Sequence, residues 1–160
     1  MKTFTDNAGR TWTISITVDA IKRVEGLIKG VNLANLTDGD PPLLTRLETD
    51  VVLLCDVIFA LVKPQAEQVG VSDEEFGRAM GGDAIMAAHD AFWEELTGFF
   101  RQLRRTDTAR AIEKQAALVK ATVEAIEQRV ERFDTSAVIE KALGGSAGNS
   151  PELPASIPDR

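Results

Sequence analysis

Polar and apolar positions along the chain change period several times, and each change predicts an element. From Thr11 to Val18, Trp12, Ile14, Ile16 and Val18 alternate with Thr11, Thr13, Ser15 and Thr17. A period of two rich in β-branched residues predicts a strand with one apolar face. With a short strand before it and the turn "DNAG" between, Phe4 to Val18 reads as a β-hairpin whose apolar face needs a cover. The period then lengthens: Asp19 is placed to cap a helix, Ile21, Val24, Leu27 and Ile28 supply its stripe, and Gly30 ends it.

"VNLANLTDGDPP" is rich in turn formers and predicts a linker, with Pro41 or Pro42 opening the helix of Leu43, Leu44 and Leu47. Asp50 is the expected cap of "VVLLCDVIFALV", which is apolar almost all round and closed by Pro64. That segment predicts a central core helix, with a buried strand as the lesser option. In "VSDEEF", Ser72 and Glu75 form a capping box opening a short helix to Met80. Gly81 and Gly82 then read as a hinge, and Asp83 as the cap of a long helix with Ile85, Phe92, Leu96, Phe99, Phe100 and Leu103 on its apolar face. His89 and Trp93 flank that face.

After the weak interruption "RRTDT", where Asp107 is a candidate cap, Ala109, Ile112, Ala116, Val119, Val123, Ile126, Val130 and Phe133 recur at steps of three and four. Such a seam is the width that one helix offers another. Thr135 to Leu143 predicts a further turn or two, and the Gly-, Ser- and Pro-rich residues from Gly144 onward are expected to be disordered. The fold class expected is mainly α: an N-terminal β-hairpin, a compact helical body and a long C-terminal amphipathic helix. The expected organisation is hairpin plus body over 1–104, a heptad-patterned arm over 105–143 and a tail over 144–160.

The seam is either one side of an intrachain helical pair or a stripe for a partner. If each of its positions buries roughly 40 to 60 Å², the transfer term at about 25 cal/mol/Å² approaches roughly 8 to 12 kcal/mol before entropy costs. Intrachain packing is the simpler account. In favour of a partner, Ala109 and Ala116 in the seam and Ala117, Ala121 and Ala125 elsewhere on the helix make a slim rod suited to close approach. The candidate partner-binding residues are Ile112, Val119, Val123, Ile126 and Val130.

Charge narrows the partners. The net charge of −7 lies almost wholly in residues 1–103, where 9 Lys and Arg face 16 Asp and Glu. An acidic surface repels phosphate backbones, and "RQLRRT" is the one short basic cluster, so nucleic-acid binding is disfavoured. The longest apolar run falls far short of the roughly 20 residues of a membrane span, and the N-terminus lacks a signal-peptide core. With a single cysteine, Cys55, neither an intramolecular disulfide nor a thiolate cage can form, which suits a reducing, cytoplasmic setting.

Catalytic templates find no anchor. His89, Asp90, Glu94 and Glu95 sit together in "HDAFWEEL", but a zinc site built from one His and carboxylates is a poor match to that metal. Neither of the two Glu-x-x-His pairs of a di-iron bundle exists. A Cys55/His89 pair would place its thiol in the most apolar stretch of the chain, where burial blunts reactivity. "MGGD" at 80–83 lacks the P-loop lysine and the Rossmann spacing. No catalytic residue, metal ligand or cofactor is expected.

"FTDNAGRTW", "VDAIKRVEG", "GVNL", "LLCDVIFALVKP" and "GVSDEEFGRAMGGDAI", in that order within residues 4–100, make the chain similar to small phage or prophage tail proteins of the tail assembly chaperone kind. Residues 104–143 fall outside the likeness. The resemblance implies a noncatalytic role in the bacterial host cytoplasm: coating the long, apolar, helical tape measure protein before tail tube subunits polymerise around it. It also implies a largely helical protein that forms homo-oligomers. A structural tail component of the virion is the alternative, and a small enzyme using the Asp90/Glu94 face comes after that.

Overall fold

The computed structural model of the protein describes residues 1–131. Strands β1 (Lys2–Thr5) and β2 (Thr11–Ile14) form an antiparallel hairpin, with Phe4 opposite Trp12. Among the described residues six helices follow: α1 (Val18–Leu27), α2 (Leu43–Thr49), α3 (Val51–Val69), α4 (Asp73–Arg78), α5 (Asp83–Gln102) and α6 (Thr106–Glu131). The fold is thus mainly α, with an N-terminal hairpin leading into a helical body. Phe133, Thr135 to Leu143 and the residues from Gly144 onward lie outside the described residues.

The hairpin is built around a buried carboxylate. Asp6 accepts hydrogen bonds from the amides of Ala8 and Arg10, from Arg10 Nε and from Trp12 Nε1. These four donors close the turn, and Gly9, with φ +78°, supplies the left-handed residue it needs. The alternating face faces inward as its period requires: Phe4, Trp12, Ile14 and Ile16 are buried. Trp12 and Phe59 of α3 meet Phe76 of α4 at centroid distances of 5.4 and 5.3 Å. The open edge of β2 is closed by a side chain, since Gln65 of α3 accepts from Thr13 N and donates to Thr13 O.

β2 stops at Ile14, short of the expected Val18, and Val18 starts α1 with 63% of its surface exposed. The cap is also displaced: Thr17, not Asp19, accepts the Ala20 amide, and Asp19 in the first turn pairs with Arg23 at 2.7 Å. A threonine in extended conformation reaches the free amide as well as aspartate does. Pro42 occupies the cap position of α2, and its helical residues begin at Leu43. The preceding linker is not a solvated loop, because Val31, Leu33 and Leu36 are buried in the core.

α3 packs against α1, α2, α4, α5 and β2 and is the centre of the body. Asp50 caps it as expected, accepting from the amides of Val52 and Leu53. Pro64 does not close it. The helix runs on to Val69 and ends at Gly70, whose φ of +70° is the left-handed C-cap geometry. A proline within a helix cannot donate to the carbonyl four residues back. Here Arg23 of α1 makes up the deficit, its Nη1 donating to Ala60 O and Leu61 O at 3.2 Å. A tertiary contact thus answers the local objection to proline.

The Ser72–Glu75 capping box of α4 forms in both directions. α5 begins with Gly82 as its cap residue, at φ +56°, and Asp83 occupies the first helical position instead of capping. Phe92, Leu96 and Phe100 are buried on the expected face, while Leu103 is 53% exposed past the end of the helix. Asp107 lies in the first turn of α6 and not before it. The chain divides into two units, Met1–Val119 and Lys120–Arg160; α6 starts in the first, and its residues 120–131 belong to the second.

Candidate functional site

Along α6 the seam changes character. In the first unit Ala109 and Ile112 are buried and join the hydrophobic core, and Ala116 and Val119 are half-buried. In the second unit Val123, Ile126 and Val130 are 48%, 56% and 67% exposed. Of the five candidate partner residues, Ile112 therefore belongs to the chain's own core, Val119 is half-covered, and the last three face solvent. The intrachain alternative thus describes the first half of the seam, while Val123, Ile126 and Val130 in the second half stay exposed.

Beside the first half of α6, an open groove is lined by Trp93 and Thr97 of α5 and by Ile112 and Ala116. Its rim is charged but internally paired. Lys2 and Glu94 meet at 2.6 Å, and Arg101 pairs with Glu113 across the α5–α6 connection. The hydrogen bond to Glu94, then that carboxylate's charge, raises the pKa of the Lys2 ammonium. Such exposed pairs contribute little to stability. Their effect is to leave an apolar floor bordered by charges already neutralised.

The acidic stretch around His89 is divided among several partners. Asp90 meets His89 Nδ1 at 3.1 Å, Glu94 is held by Lys2, and Glu95 accepts the Ile16 amide. Asp90 and Glu94, one turn apart, thus have different partners, His89 and Lys2. Among the described residues no group of three or more His, Cys, Asp and Glu is arranged to hold a metal ion. The other acidic partner of His89 is Glu48 of α2, at 3.3 Å from Nε2, with a side chain only 2% exposed. Nothing in the sequence flags Glu48, a charged residue at the penultimate position of a short helix.

Cys55 is half-buried, and its thiol is pushed up to about 11, first by burial and then by the charges of Asp56 and Asp73. A thiol so protonated at neutral pH is a poor nucleophile. Both ring nitrogens of His89 are occupied by Glu48, Asp90 and Trp93, with no bond to Cys55. No helix among the described residues is long and apolar enough to cross a membrane. Comparison with protein-family models, curated proteins and solved structures gives no match.

Proposed function

We propose that the protein is a noncatalytic helix-binding chaperone of the phage-tail kind, which shields an apolar helical client, the tape measure protein, before the tail tube polymerises. The observation that carries this reading is the exposed stripe of Val123, Ile126 and Val130 on α6, at the three-and-four spacing of a helix-pairing face. The resemblance of residues 4–100 to tail assembly chaperones supports the choice of client.

Magnitude shapes the proposed mode of action. Covering three half-exposed aliphatic side chains removes roughly 200 Å² of apolar surface, about 5 kcal/mol at 25 cal/mol/Å². The loss of free motion on association costs about as much or more. One stripe therefore holds a client weakly, whereas several copies along one long helix hold it through avidity. Weak, repeated contacts suit a protein that must be stripped off as the tube advances.

The test is co-expression with a phage tape measure protein. The full chain is expected to co-purify with it, and Val123→Asp/Ile126→Asp is expected to abolish capture while circular dichroism stays unchanged. Capture that survives the double substitution would overturn the assignment of the stripe. Mass spectrometry of purified particles should find the protein absent; stoichiometric recovery would make it a virion component instead.

A further inference from the structure

One ring nitrogen in the body is asked to do two incompatible things. His89 Nε2 accepts the indole N–H of Trp93 at 2.9 Å and also lies 3.3 Å from Glu48 Oε2. A ring nitrogen carries either a lone pair or a proton. With the lone pair it accepts from Trp93 but offers Glu48 nothing; with the proton it donates to Glu48 and can no longer accept from Trp93. Glu48 makes the conflict costly. Its side chain is 2% exposed, and its other oxygen, Oε1, is buried without a hydrogen-bond partner. A buried carboxylate without donors is among the least stable arrangements in a protein interior.

We propose that His89 is a proton-operated switch that selects between Trp93 and Glu48. In the neutral state Nδ1–H is donated to Asp90, Nε2 receives the indole N–H, and Trp93 is locked against α5. On protonation Nε2–H turns to Glu48, supplies the donor that the buried carboxylate lacks, and releases the indole. Trp93 also walls the groove with Ile112 and Ala116. An indole seeking a new acceptor moves there first, where water is within reach, so the groove beside α6 changes shape with the charge on His89.

The groups facing the imidazole are Glu48 from α2 and Asp90 from its own helix, both acidic. The hydrogen bond to Glu48 raises the pKa of His89, burial opposes the rise, and Asp90 adds to it. The stability contributed by the charged ring is therefore fully present below the ordinary histidine value of about 6.5, and it is lost as pH rises through the higher folded value. The switch stands independently of what α6 binds.

His89 is the only histidine in the chain, so its titration can be followed by NMR without ambiguity. In the full-length protein the imidazole should titrate with a midpoint above about 6.5. The Trp93 indole N–H resonance, assigned by its loss in Trp93→Phe, should move upfield with the same midpoint as its acceptor disappears. His89→Gln is the discriminating variant, because an amide can accept from Trp93 and donate to Glu48 at once; its indole resonance should stay constant from about pH 5 to 8. An indole resonance that stays still while His89 titrates, or one that shifts equally in His89→Gln, would overturn the proposal.

Discussion

Two residues show how a local cost is settled by one distant or neighbouring side chain. Pro64 leaves the Ala60 carbonyl of α3 without its helical donor, and Arg23 supplies one from α1. Arg23→Ala should destabilise the fold by about 1 to 3 kcal/mol, the usual cost of stranding a buried acceptor. In a Pro64→Ala background, where the backbone N–H returns, the same substitution should cost markedly less; a double-mutant cycle by urea unfolding measures the difference. Asp6 is the second case. Burial works to raise its pKa, but the hydrogen bonds from Trp12 and Arg10, with the Arg10 charge, lower it below the usual carboxylate value. A depressed carboxylate contributes stability above its unfolded value of about 3.9, and that contribution disappears as pH falls through the folded value. Asp6→Asn keeps the shape but loses acceptor capacity and charge. It should cost about 2 kcal/mol at neutral pH and flatten the acid limb of the stability profile, as followed by thermal melts from about pH 2 to 7.

At the scale of elements, α6 invites a comparison between two substitutions of the same seam. Ile112 is 1% exposed within the core, so Ile112→Ala should destabilise by about 2 to 4 kcal/mol through lost transfer energy and a cavity. Val123→Asp/Ile126→Asp changes exposed positions and should alter the stability of the body by less than about 0.5 kcal/mol. Thermal melts of the two variants side by side check the division. The seam itself was legible from spacing, as were the hairpin, the Asp50 cap and the Ser72–Glu75 box, because each rests on contacts within a few residues. The depth at which α6 leaves the core was not legible, since periodicity says which side of a helix is apolar but not where its cover ends. The same limit applies elsewhere. Arg23 and Pro64 are 41 positions apart, so the continuation of α3 depends on a contact invisible to local propensity. Val31, Leu33 and Leu36 sit among turn formers whose signal hid their burial. Glu48 becomes notable only because α2 places it against His89 of α5.

For the whole molecule, what matters is where the core ends along the chain. Among the described residues every member of the hydrophobic core lies at or before Ile112, and the first unit closes at Val119. Hydrophobic burial is the dominant favourable term in folding, so a chain ending after Val119 keeps this core and should fold with unchanged near-UV circular dichroism and cooperative unfolding. Ending the chain after Arg105 is a different perturbation. It removes Ala109 and Ile112 from the core, together with the Glu113 partner of Arg101. Trp93, which lines the groove with Ile112 and is 5% exposed in the intact protein, is then uncovered on that side. That chain should lose several kcal/mol, by the same transfer and cavity terms that apply to single large-to-small substitutions. Urea unfolding followed by tryptophan emission separates the two truncations. Equal midpoints would mean that the first turns of α6 contribute nothing to the body, and the division of the seam between buried and exposed halves would fall with them.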